Sequence, residues 1–137
     1  MRKLTPIITV EAIEPCLPFW TDTLGFEVSV TVPHDDAIGF AMLHYGDIEL
    51  MYQTRASIEA DLGASGAPQD LGAQLAGGTT LLFLEVDAID PLLAKLQDTE
   101  TVVPRRRTFY GMDEIFVRAP CGTVIGFAAK VEEQSDT

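Results

Sequence analysis

A chain of 137 residues, 47% hydrophobic and 22% charged, has the composition of a folded domain with a core to bury, which excludes a disordered segment. No run approaches the ~18–20 apolar residues of a membrane span, so no membrane partner is expected. The net charge of −12 lacks the basic face a nucleic-acid partner would require.

Taken in chain order, the opening MRKLTPIITVEAIEP has no signal-peptide hydrophobic region or cleavage site, so a cytoplasmic location is expected. Cys16 and Cys121 are too few and too isolated for a disulfide framework or a zinc ribbon, and both are expected to be reduced. PIITV reads as a strand, and Glu14-Pro15 then opens a helix, with the acid at the N-terminus and Pro where the N–H has no partner. That helix carries Leu17, Phe19, Trp20 and Leu24 and stops at Gly25. Trp20 is expected in the core. Strands follow at FEVSVTV (26–32), FAMLHY (40–45) and IELMYQ (48–53), the last two joined by a tight turn at Gly46-Asp47. His34, in VPHDDA, is expected in a surface loop.

The segment 54–78 is rich in Ala, Gly and Ser and reads as a linker with one or two short helices, placed to act as a flap. The pattern then starts again. VEAIEPCL (10–17) and VDAIDPLL (86–93) share five identical positions and two Glu-to-Asp exchanges. LLFLEV precedes the second copy as a strand. Asp90-Pro91 opens its helix, and Leu92, Leu93 and Leu96 line it. Strands follow near Thr101–Val103, at DEIFVRA (113–119) and at TVIGFAAK (123–130), and the tail EEQSDT is expected to fray.

Each half therefore reads βαβββ, and the expected class is α+β: module one 4–53, linker 54–78, module two 79–130, tail 131–137, in a single domain over 1–137. One helix covers one face of a four-stranded sheet, so each module has a second face in need of a partner. Two such modules side by side are expected to curl those faces into a shared concave cleft.

VEAIEPCLPFWTDTLGF, with its aliphatic-acidic-helix-aromatic-LGF order, and FYGMDEIFVRAPCGTVIGFA, with its closing hairpin, resemble the glyoxalase/bleomycin-resistance/extradiol-dioxygenase group, the vicinal oxygen chelate superfamily. The resemblance covers nearly the whole chain, and KLTPIITV with FWTDTLGF is most similar to the bleomycin-resistance branch. Metal enzymes of that group take ligands from the first and last strand of each half. Those positions fall here on Thr5, Glu49, Leu81 and Gly126, with Gly126 the counterpart of Glu49. Only Glu49 commonly binds a divalent ion, so no metal and no cofactor is expected. The resemblance also implies a homodimer.

Alternation along the strands assigns the faces. Thr9, Phe40, Met42, His44, Glu49, Met51 and Gln53 from the first module, and Phe83, Glu85 and Gly126 from the second, are expected to line the cleft. Through the two-residue turn His44 lies opposite Glu49, Met42 opposite Met51, and Phe40 opposite Gln53. Arg107 is placed at the cleft mouth as a carboxylate or phosphate clamp, and Phe109 and Tyr110 as stacking groups. This mixed lining suits a small organic ligand, aromatic or cationic, sequestered as in the bleomycin-resistance branch. The alternative is a lyase, isomerase or dioxygenase using His44 and Glu49 as an acid–base pair, or a relocated metal on His44, Glu49 and Glu85.

Overall fold

The computed structural model describes residues 1–78 and 80–131. The expected fraying of EEQSDT lies outside the described residues, as does Thr79. Two compact units divide between residues 79 and 80.

In the first unit, β1 (Ile7–Val10), β2 (Glu27–His34), β3 (Ala37–Tyr45) and β4 (Ile48–Thr54) form a sheet in the order β1-β4-β3-β2. β1 runs parallel to β4 and the other neighbours are antiparallel. The expected hairpin turn at Gly46-Asp47 is present, with Gly46 at φ 56, a left-handed value that a two-residue turn requires. His34 closes β2 instead of sitting in a loop.

The connection between β1 and β2 departs from a regular helix. It is a 3₁₀ turn over Glu14–Cys16 followed by a π-helical stretch over Phe19–Thr23. Pro15 and Pro18 have no N–H to give an α-helical ladder, and the Thr21 hydroxyl donates to the Leu17 carbonyl at 3.1 Å, so the regular i to i−4 pattern is interrupted here. The packing is unaffected. Ile13, Trp20, Leu43 and Tyr52 are all fully buried, each large apolar side chain contributing about 1.5–3 kcal/mol on removal from water. Trp20 makes edge contacts with Phe19 and Phe26 at 5.6 and 4.9 Å, and its indole N–H donates to the Tyr52 hydroxyl at 2.7 Å.

Residues 54–78 carry two helices, α1 (Arg55–Gly63) and α2 (Leu71–Ala76). Thr54 caps α1 by accepting from Ser57 N–H at 3.1 Å, and Ile58 is buried. α2 packs on α1 and reaches β1. Gly72 permits that approach, because a Cβ there would lie 2.9 Å from Cγ of Glu59.

The second unit repeats the plan. β5 (Leu82–Glu85), α3 (Asp90–Lys95), β6 (Glu100–Arg107), β7 (Met112–Arg118) and β8 (Val124–Lys130) give a sheet in the order β5-β8-β7-β6. Ile89, Leu96, Val117, Ile125 and Phe127 form its buried side. β6 is longer than the sequence suggests, running through Arg105, Arg106 and Arg107.

The duplicated acids at the helix starts do matched work in each unit. Glu14 accepts from the backbone N–H of Ile38 on β3 at 2.7 Å, which holds its carboxyl below the ordinary value of 4.5. Asp90 accepts from Arg105 of β6 at 2.6 Å. Arg105 also grips Asp113 through two bonds of 3.0 and 2.7 Å, so one guanidinium ties α3 to β6 and β7. Neither cysteine is a free thiol, which corrects the expectation of two reduced residues; compartment habits do not determine a cysteine's state in a given fold.

Two outcomes follow from this packing. Tyr52→Phe leaves the buried Trp20 N–H without that acceptor and should cost about 1–3 kcal/mol in urea unfolding followed by circular dichroism. Asp113 is held below its ordinary 3.8 by the hydrogen bonds from Arg105, against the opposing effect of burial. Its contribution to stability is therefore present above 3.8 and is lost as pH falls through the lower folded value. Arg105→Met should be the less stable protein at neutral pH, and its deficit against the unaltered chain should narrow on acidification below about pH 4.

Candidate functional site

Alternation leaves each sheet with a face turned away from its buried side. In the first unit the register matches the expected pairings: His44 faces Glu49, Met42 faces Met51, Phe40 faces Gln53, and Thr9 faces Gln53 from the other side. Thr9, Phe40, Met42, His44, Glu49, Met51 and Gln53 are all half-buried. Leu43, Leu50 and Tyr52, between them in sequence, are buried on the opposite face.

The polar groups of this face are engaged, and not with each other. Glu49 pairs with Lys3 of the N-terminal segment. His44 Nε2 lies 3.3 Å from a carboxylate oxygen of Glu27, its partner on β2. Gln53 donates to Ser57 of α1 at 3.2 Å. Among the described residues no hydrogen bond or ion pair joins His44 to Glu49, which corrects the expected acid–base pair. A residue in a central strand has neighbours on both sides, and the sequence shows the closer hairpin before it shows the other ladder.

On the second sheet Phe83 faces Gly126 and Glu85 faces Ala128 across β5 and β8. Phe116 and Glu114 face the same two small residues from β7. Phe83 and Phe116 have ring centroids 6.4 Å apart. A Cβ on Gly126 would lie 2.6 Å from Cε2 of Phe116, so the aromatic ring occupies the space directly over the glycine. Glu114 is only 1% exposed, and its carboxylate accepts from Arg106 at 3.0 Å and from the Tyr110 hydroxyl at 3.2 Å. Glu85 is exposed, with Lys130 3.9 Å away.

Arg107 is a correction. It pairs in register with Asp113, whose side belongs to the face carrying α3, and it lines a depression of about 300 Å³ with Asp87, Asp90, Arg105 and Lys130. Irregular pairing between Val103 and Arg106 sets the phase of the arginine run, and Arg106 is the one that meets Glu114. The sequence gives no sign of such a bulge. Phe109 is fully exposed at the turn between β6 and β7, in edge contact with Tyr110 at 5.0 Å. Lys3, Glu27 and Glu114 are not among the residues the sequence singles out. Glu114 and Phe116 had a signal, since a Glu and a Phe two apart in DEIFVRA share a face.

Register also revises the comparison of the halves. Ile7 faces Met51, whereas Phe83, its equivalent in the repeat, faces Gly126. Met51 is thus the structural counterpart of Gly126, and Glu49 is matched by Val124.

Two four-stranded mixed sheets of identical βαβββ topology define a duplicated α+β fold. A family model described as the Glyoxalase/Bleomycin resistance protein/Dioxygenase superfamily matches residues 4–127, and the chain belongs to that superfamily. No curated protein matches the sequence. Solved structures share the fold. A glyoxalase/bleomycin resistance protein/dioxygenase from Nocardioides is 19% identical, covering 100% of this chain and 89% of its own with a TM-score of 0.71. The bleomycin-binding protein of Streptomyces verticillus, complexed with copper(II)-bleomycin, is 24% identical over 94% of this chain and 96% of its own, with a TM-score of 0.61. A lactoylglutathione lyase from Agrobacterium tumefaciens is 12% identical over 94% of both chains, with a TM-score of 0.66.

The residues at the superfamily's metal-ligand positions do not fit a metal. Leu81, Gly126 and Val124, the last being the register match of Glu49, have no side-chain donor, and the Glu49 carboxylate is paired with Lys3. Among the described residues no three His, Cys, Asp or Glu side chains are gathered to hold an ion.

The Phe116–Gly126 contact makes a direct prediction. Gly126→Ala should destabilise the protein by about 1–3 kcal/mol, because ring or strand must move to admit the methyl group. Phe116→Leu in the same chain should recover a substantial part of the loss, measured as a double-mutant cycle in urea.

Proposed function

We propose that this chain binds a small organic molecule carrying an aromatic or cationic group, and does so without a metal, in the manner of a sequestering antibiotic-resistance protein. The observation that supports this most is the Phe116 ring over Gly126, which with Phe83 across the same strand makes that level of the second sheet apolar. Half-exposed Phe83 adds to that apolar area on the second sheet, and the first sheet separately carries half-buried Phe40, Met42 and Met51. Such area gains affinity by burial and stacking alone. The fold-level likeness to a bleomycin-binding protein is compatible with this reading. The reading includes a homodimer in the cytoplasm. A lyase or dioxygenase receives no comparable support, since its acid–base pair is parted between Lys3 and Glu27.

Thermal-shift measurements with aromatic amines and amidines against aromatic carboxylates test the ligand class. At about 100 times its dissociation constant a ligand adds ~2.7 kcal/mol, a few degrees of Tm at this chain length. Cationic aromatics should raise Tm, and chelator should leave it unchanged. Shifts with carboxylates alone, or a stoichiometric metal that survives purification, would overturn the reading.

A further inference from the structure

The second face of the β5–β8 sheet has an ordered division along its central strand. At the level of Gly126 it is flanked by the two rings Phe83 and Phe116. Two residues further along, at the level of Ala128, it is flanked by two carboxylates, Glu85 and Glu114. The central strand contributes only a hydrogen and a methyl group at these levels, so the flanking side chains define the surface. Two residues of strand span roughly 6.6 Å. The face therefore carries two rings tilted 51° to each other and, one level on, an exposed Glu85 and a buried Glu114.

Both carboxylates are covered by cations of the chain's own. Lys130 stands 3.9 Å from Glu85, and both side chains are largely exposed. Arg106 reaches Glu114 from an edge strand with 53% of its own side chain exposed, while Glu114 keeps only 1%. A buried carboxylate requires a cation, but nothing in that requirement demands this particular guanidinium. An exposed arginine gives up rotamer freedom to reach inward, and a ligand whose cation is positioned by its own stacked ring would give up less.

We propose that this face is the recognition site for an amphipathic aromatic cation, its ring on Phe83 and Phe116 and its guanidinium or ammonium group between Glu85 and Glu114, displacing Arg106. This deepens the ligand-binding reading and rests on it. Glu114 and Glu85 select the charge, Phe83 and Phe116 select the ring, and the strand spacing selects the linker between them. Arg106 acts as a tethered competitor that keeps Glu114 paired when no ligand is present.

The test is a homologous series of phenylalkylguanidines, from benzyl to phenylbutyl, titrated into the full chain by NMR or calorimetry. Affinity should peak near the phenylpropyl member, where ring and cation are separated by roughly 6–7 Å, the span of two strand residues. Phe83→Ala and Glu85→Gln alter exposed side chains and should keep the fold; each should weaken the best member about tenfold. Arg106→Met removes the competitor and should tighten binding severalfold. The inference is overturned if affinity rises monotonically with chain length, or if neither Phe83→Ala nor Glu85→Gln changes it. It is also overturned if Arg106→Met weakens binding in a protein whose circular dichroism spectrum is unchanged. If the series fails while other cationic aromatics still bind, this site assignment falls and the ligand-binding reading stands. If no cationic aromatic binds at all, both fall.

Discussion

A four-stranded sheet has two faces, and the single helical connection in a βαβββ unit can cover only one. Everything distinctive about this chain descends from that inequality. The covered face takes the strictly buried residues, Leu43, Leu50 and Tyr52 in one unit and Val117, Ile125 and Phe127 in the other. The remaining face of the first sheet carries half-buried Met, Phe, His and Glu side chains, and that of the second sets buried Glu114 and Ala128 beside exposed Phe83 and Glu85.

Duplication imposed the same topology twice, yet the two units solved their local problems differently. Glu14 and Asp90 stand at matched helix starts; the first accepts from a backbone N–H and the second from an arginine. On the second faces, one sheet keeps a carboxylate at Glu49 and the other places a glycine under an aromatic ring. The units thus share a scaffold while their exposed chemistry has diverged, as expected when fold and function are carried by different residues.

Charge pairing is what most constrains function here. The carboxylates of the second faces all meet a basic group: Glu49 meets Lys3, Glu27 meets His44, Glu85 meets Lys130, and Glu114 meets Arg106. In a chain of net charge −12 with only nine lysines and arginines, Lys3, Arg106 and Lys130 are committed to these faces.

The sequence by itself determined the repeat, the order of elements, and the partition of the first sheet into two faces. These are local properties: strand alternation has period two, and the turn at Gly46-Asp47 is short enough to dictate that His44 lies opposite Glu49. Tertiary structure alone decided which charges meet. The partners of His44 and Glu49 come from β2 and from the N-terminal segment, and no local rule ranks those against the hairpin neighbour. It also decided the register of β5 against β8, which matches Gly126 to Met51 rather than to Glu49. The phase of the arginine run in β6 was set in the same way. A bulge or a parallel pairing between distant segments depends on how whole strands settle against each other, so its register is written in packing and not in any short stretch of sequence.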